Sequence, residues 1–129
     1  MEKEERYNRG SDLIRKMFGE EHQERRAEMV ELYPDWDKYT KEFLYGEIYH
    51  RPGLSLKMRS LCNLAALTVL GREVEVETHI IGALNNGATK EEIIEVLIQM
   101  GFYGGWPVTV AGLRVATRAF KRIGLLNEK

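Results

Sequence analysis

The sequence predicts an all-α, single-domain helical fold, and three observations lead to this prediction. Apolar residues recur at spacings of three and four over most of the chain, which is the periodicity of amphipathic helices. The segment Thr89-Lys90-Glu91-Glu92 matches a capping box at the start of a helix. No stretch has the pattern of a convincing β-hairpin.

The first half of the chain is predicted to contain three helices. Residues 3–18 and the highly charged residues 20–32 favour helix, and so do residues 34–49, before YHRPG breaks the pattern as a turn. Five apolar residues of the third helix are expected to share one face: Trp36, Tyr39, Phe43, Leu44 and Ile48. The first 30 residues, rich in Glu and Arg, are predicted to be a charged helical extension (1–30) to a helical domain over 31–125.

The second half is predicted to hold a helix from the N-cap Ser55 to Leu70, one after the Thr89 capping box, and one from about Trp106 to before Gly124. Between the first two of these helices, the segment GREVEVETHIIGALNNG alternates like a strand in its first half and fits a helix in its second. An isolated strand there would leave backbone groups without partners, so helix is favoured. One stripe of that helix is apolar: Val76, Ile80, Ala83 and Leu84.

Composition and charge exclude several functional classes. The chain has 129 residues, 43% of them hydrophobic, with 19 basic against 20 acidic residues. This balance argues against a broad electrostatic surface for nucleic acid. No apolar run reaches the ~18 residues that span a bilayer, and the charged start MEKEERYNRG lacks the apolar core of a secretory signal. We therefore expect a soluble cytoplasmic protein without nucleic-acid or membrane partners.

His79 is the first candidate for chemistry, although most single histidines near an apolar stripe are packing or surface residues. On a helix, Glu75 lies one turn before it, and a carboxylate there can orient the ring and raise its basicity. The alternative is a surface helix pair worth roughly 0.3 kcal/mol.

The turn after residue 46 collects a second group of charged candidates: Glu47, His50, Arg51, Lys57 and Arg59. By composition a solvated junction between helices is favoured; the functional alternative is a pocket mouth where arginines hold a carboxylate. Glu47-Ile48-Tyr49-His50 is one Glu-x2-His pair, and a di-iron site needs two pairs plus further glutamates, so no metal site is expected.

Two other features are interpreted as structural. Cys62 is the one cysteine of the chain, which excludes an intrachain disulfide, and beside Leu61 and Leu64 it is expected to be a buried, inert thiol. The Gly-rich segment 101–107 lacks the Lys-Ser/Thr of a phosphate-binding loop and does not follow a strand.

Five ordered blocks over residues ~36–122 resemble the carboxymuconolactone decarboxylase family. They are GEIYxRPGL from Gly46, KxRSL from Lys57, LGRE from Leu70 followed by His79, ALNNGATxEEI from Ala83, and YxGxP from Tyr103. The resemblance implies an alkylhydroperoxidase D-like helical fold that self-associates, commonly as ring-like hexamers. A homo-oligomer, either a trimer or a hexamer, is therefore expected.

The resemblance also implies a decarboxylase for a small carboxylated lactone. When such a substrate loses carbon dioxide, the electron pair of the broken bond moves through the ring double bond onto the lactone carbonyl. No pyridoxal phosphate, thiamine or metal cofactor is therefore expected. Under this interpretation His79 is the general acid/base, and Glu47 or Glu75 tunes it. Substrate-binding candidates complete the site: Arg51, Arg59, Arg72, Tyr103 and Trp106. The arginines would anchor carboxylate or oxyanion, while the two aromatic residues would form a dry wall.

Two alternatives remain open. Alkylhydroperoxidase D-like relatives carry a Cys-x2-Cys-x3-His redox centre, and alignment on His79 places Arg72 and Glu75 where the two cysteines stand. A dithiol peroxidase needs both thiols, so peroxide or thiol redox activity is disfavoured. The other alternative is a non-catalytic oligomeric binding protein that keeps the fold.

Overall fold

The computed structural model describes residues 1–126, and in this range it contains helices and no strand. The predicted all-α class is confirmed. The elements in chain order are α1 (Lys3–Leu32), α2 (Pro34–Tyr39), a π-helical turn (Thr40–Tyr45), a 3-10 turn (Ile48–His50), α3 (Leu56–Val69), α4 (Glu73–Asn85), α5 (Lys90–Gly104) and α6 (Trp106–Arg122). These elements divide into two compact units, Met1–Leu56 and Lys57–Lys129. No described helix is long and apolar enough to cross a membrane.

Helix α1 is interrupted where the sequence predicts a break between two helices. Gly19 has φ 82° and ψ 175°, which is not helical. Glycine adopts positive φ without the steric cost that a Cβ would bring. Three apolar residues before the break, Leu13, Ile14 and Met17, form a buried cluster with Tyr45 and Tyr49, which come after α1 in the chain. The charged residues after the break remain mostly exposed.

The predicted helix over residues 34–49 is wrong as one regular element. The α-helix ends at Tyr39, and the next six residues form the wider π-helical turn. The wider turn changes which side chains face the interior. The buried residues are Tyr45, at the end of this turn, and Tyr49, in the 3-10 turn that follows, and their rings stack with centroids 4.6 Å apart. Four residues of the expected apolar face are exposed: Trp36, Tyr39, Phe43 and Leu44.

Close backbone contact holds the end of this turn against α1. A Cβ on Gly46 would collide with the carbonyl oxygens of Arg6 and Lys41. The Nε atom of Arg9 donates a hydrogen bond to the Gly46 carbonyl oxygen at 2.9 Å. The burial of the two tyrosines therefore depends on a residue without a side chain at position 46.

The first unit also buries a carboxylate that the sequence pattern did not reveal. Asp37 is 4% exposed at its side chain and forms ion pairs with Arg26 at 3.3 Å and Lys41 at 3.0 Å. Its Oδ2 atom also accepts a hydrogen bond from the Tyr7 hydroxyl at 3.2 Å. The Arg26 guanidinium lies over the Trp36 ring, 4.7 Å from its centroid. Asp37 thus ties α2 to both halves of α1 and to the π-helical turn.

In the second unit, the core is formed by apolar faces of α4, α5 and α6 with two leucines of α3. Ile80, Ile93 and Leu97 are fully buried, and Val115 and Phe120 close the cluster. The predicted capping box is present, because Thr89 accepts a hydrogen bond from the Glu92 backbone and Glu92 accepts one from the Thr89 backbone. The other predicted helices also form, as Leu56–Val69 and Trp106–Arg122.

We predict that Asp37→Ala lowers the free energy of unfolding of the first unit by about 3 kcal/mol, because it leaves two neighbouring cations without their buried counter-ion. Urea unfolding followed by circular dichroism and by the fluorescence of the two tryptophans, Trp36 and Trp106, would measure the change. The matched control is Asp35→Ala, on the same helix but exposed, which should change the free energy by no more than about 0.5 kcal/mol. Equal effects of the two substitutions would contradict the role assigned to Asp37.

Candidate active site on helix α4

The ambiguous segment 71–87 contains helix α4 (Glu73–Asn85), so the predicted helix is confirmed. Val76, Ile80 and Ala83 are buried in the core of the second unit. Because residues three and four apart share a helix face, burial of this stripe leaves Arg72, Glu75 and His79 together on the neighbouring face. The strand-like alternation of valine and glutamate is therefore a coincidence of composition.

His79 lies at the boundary between core and solvent. Its side chain is partly buried, and its Nδ1 atom is buried. Burial lowers the pKa of His79 below the usual 6.5, while the negative charge of Glu75 raises it by a smaller amount. The ring is therefore mainly neutral at pH 7, and a change in nearby charge can shift its protonation.

Glu75 is held from the other side by Arg72. The Arg72 Nη2 atom lies 3.1 Å from Glu75 Oε1. Hydrogen bonding from Arg72 lowers the pKa of Glu75, so the carboxylate is ionised at neutral pH. Arg72, predicted to bind substrate, thus already has a carboxylate partner within the chain. The structure brings Arg72, Glu75 and His79 into one series along α4.

The other predicted polar residues lie on different elements. Arg59 is on α3 in the second unit, partly buried, with its Nε atom buried. Glu47 and Arg51 belong to the first unit, where they flank the 3-10 turn and are exposed. Their joint action with His79 stays a prediction.

The two aromatic candidates are exposed at the junction of α5 and α6. Tyr103 is 76% exposed and Trp106 is 54% exposed. The Trp106 ring makes an edge contact with Phe102, with ring centroids 5.6 Å apart. An exposed pair does not exclude water by itself, so a dry wall at this place needs a covering group.

Cys62 differs from its prediction. It faces outward on α3 and is exposed, whereas Leu61 and Leu64 point into the core. The expectation of a buried thiol is therefore wrong, because position 62 falls on the opposite side of the helix from the apolar stripe.

Among the described residues, no group of three His, Cys, Asp or Glu side chains could hold a metal ion.

Sequence reasoning missed a polar contact that supports α4. The Asn86 amide nitrogen donates a hydrogen bond to the hydroxyl of buried Ser60 at 2.9 Å, which links the end of α4 to α3. A pattern within one helix does not reveal which residue on another helix will meet it.

The sequence profile of the carboxymuconolactone decarboxylase family matches residues 34–118, which include all of α4 and its neighbours. The chain belongs to this family. The resemblance stated from the sequence blocks is thereby confirmed.

Relatives across this family differ in their names. The chain is 35% identical over 130 residues to a 4-carboxymuconolactone decarboxylase of Acinetobacter baylyi, covering 100% of this chain and 97% of that protein. It is 35% identical over 102 residues to an uncharacterised 15.0 kDa protein of Paracoccus denitrificans, covering 78% and 75%. It is 34% identical over 77 residues to a nitrosuccinic acid decarboxylase of Metarhizium robertsii, covering 60% and 54%. The family and the two named decarboxylases bear out the expectation of an enzyme of the carboxy-lyase class.

The lowered pKa of His79 predicts a pH dependence of stability. A histidine with a folded-state pKa below its unfolded value contributes stability that is present above pH 6.5 and is lost as the pH falls through the folded pKa. We expect the free energy of unfolding to fall less between pH 7.5 and pH 5 in His79→Gln than in the original protein. Urea unfolding at both pH values tests this, and an equal loss in the two proteins would contradict the burial of His79.

Proposed function

We propose that this protein is a cofactor-free decarboxylase that acts on a small carboxylated lactone, with His79 as general acid/base and Glu75 as the residue that tunes it. The supporting observation is an ionised carboxylate one turn before a partly buried histidine on α4, in a chain of the carboxymuconolactone decarboxylase family. The names of two relatives, decarboxylases of 4-carboxymuconolactone and of nitrosuccinic acid, support the loss of carbon dioxide from a small acid.

In the proposed reaction the substrate accepts its own electrons. The bond between the ring and the leaving carboxylate breaks, and its electron pair moves through the ring double bond onto the lactone carbonyl oxygen. Carbon dioxide leaves, and the resulting anion takes up one proton at a ring carbon. The protein must therefore hold a carboxylate, stabilise a developing oxyanion and deliver a proton.

His79 has suitable properties for this proton transfer. In the free protein burial keeps the ring mainly neutral. The negative charge of a bound substrate would raise the pKa of His79. The imidazole would then accept a proton from solvent and pass it to a carbon of the lactone ring. Glu75 adds to this effect, because its charge also favours the protonated ring.

The arginines and aromatic residues take the other proposed roles. Arg51 and Arg59 are proposed to anchor carboxylate or oxyanion through paired hydrogen bonds, and Glu47 is a second candidate for tuning His79. Arg72 keeps Glu75 ionised in this scheme. Tyr103 and Trp106 would form the apolar wall of a site without water once another group covers them. The need for a covering group fits the proposed homo-oligomer, a trimer or a hexamer.

We predict that His79→Ala lowers kcat for decarboxylation of 4-carboxymuconolactone by roughly 10²-fold or more, because the proton donor is lost. Release of carbon dioxide and loss of the lactone would be measured together, and nitrosuccinic acid would be assayed in parallel as a second substrate. The control is His22→Ala, a partly buried histidine in the first unit, which should leave kcat nearly unchanged.

The outcome separates the candidate functions. An unchanged kcat in His79→Ala would remove His79 from the mechanism. Saturable binding of both acids without turnover by the original protein would favour a non-catalytic binding protein. Peroxide consumption without decarboxylation would favour the redox alternative, although the chain has a single cysteine.

A further inference from the structure

The second unit contains a partly open pocket that the proposed reaction does not use. Its volume is about 160 Å³, and it lies between the end of α3, the start of α4 and the first half of α6. Six residues define its chemistry: Thr68, Glu73, Val76, Val108, Ala111 and Val115. The candidate residues His79, Arg59 and Tyr103 do not line it.

The wall of this pocket is apolar even where the sequence has a hydroxyl. The Thr68 hydroxyl donates a hydrogen bond to the Leu64 carbonyl oxygen at 2.7 Å. Its methyl carbon would lie 3.6 Å from a Cβ on Gly112, which also lines the pocket. Thr68 therefore presents a methyl group to the pocket, in the same way as the neighbouring valines.

Glu73 contributes the one charge among the lining residues that the structure describes. It is exposed in the first turn of α4. A carboxylate at the edge of an apolar pocket opposes a second anion, both by repulsion and because an ionised group loses its water there. The pocket is therefore unsuited to a carboxylated lactone.

Helix geometry separates this pocket from the acid/base residues. Glu73 and Val76 line the pocket, and Glu73 lies about 60° around the axis of α4 on one side of Val76. On the other side, His79 and Glu75 lie about 60° and 100° from Val76, so both are more than about 100° away from Glu73. One helix thus presents a charged face with a histidine and, beside it, an apolar face that lines a cavity.

We propose that this pocket binds a small, neutral, apolar molecule about the size of one benzene ring. The volume supports this size, because an enclosed apolar protein cavity of about 150 Å³ binds benzene. The valine side chains and the Thr68 methyl group provide contacts on several sides of such a ring. The pocket is a site for a neutral ligand, distinct from the site proposed for the acid substrate.

The first test is titration of the folded protein with benzene, followed by backbone amide chemical shifts of α6. We expect saturable shifts at residues 108–115. The variant Ala111→Leu fills the pocket and should weaken binding by at least about tenfold. The matched control is Ala66→Leu on α3, an exposed position outside the lining, which should bind benzene as the original protein does.

The second test compares benzene with benzoate, which has the same ring and one negative charge. The original protein should bind benzoate at least about tenfold more weakly than benzene. The substitution Glu73→Gln should raise the affinity for benzoate and leave the affinity for benzene unchanged. This comparison needs no pocket-filling variant, so it holds even if Ala111→Leu fails to fold.

Three results would overturn the proposal. The first is the absence of saturable benzene binding, including the case in which a side chain of another copy fills the pocket. The second is unchanged binding in a folded Ala111→Leu variant. The third is benzoate binding as tight as benzene binding, which would make the pocket an anion site. Loss of decarboxylation in His79→Ala bears on none of these results, so the two proposals fail separately.

Discussion

The arrangement of the candidate site depends on the burial of one apolar stripe of α4. Val76 is 2% exposed, while Ile80 and Ala83 are fully buried. Rotation of the helix about its axis would expose these side chains, at a cost of about 1.5–3 kcal/mol for each large residue. Their burial therefore fixes the direction of Glu75 and His79. It also fixes the direction of Glu73, so the same packing places a carboxylate at the edge of the apolar pocket.

The helices of the second unit could be predicted because local signals and core packing agree there. The Thr89 capping box and the apolar periodicity after it both favour α5, and the structure contains both hydrogen bonds of the box. For α4 the local signals conflicted, and the lack of a partner strand decided between them. The neighbouring positions of Glu75 and His79 followed directly from that decision.

Other features could not be predicted, because they depend on contacts between distant residues. The π-helical turn replaces a regular helix where Gly46 packs against the backbone of α1, and no spacing rule indicates such a contact. The burial of Asp37 requires Arg26 and Lys41 to converge on it. The error at Cys62 has a simpler origin, since apolar neighbours in sequence need not share its face of the helix. The pocket likewise needs three helices to form.

The central claim is that Glu75 acts electrostatically on a partly buried His79, and NMR titration of the His79 ring tests it most directly. The ring resonance would be assigned by its absence in His79→Gln. We predict a pKa below 6.5 in the original protein, a still lower pKa in Glu75→Gln, and an unchanged pKa in Glu77→Gln, because Glu77 pairs with Arg122 at 2.8 Å. A pKa at or above 6.5, or one that Glu75→Gln leaves unchanged, would contradict the account.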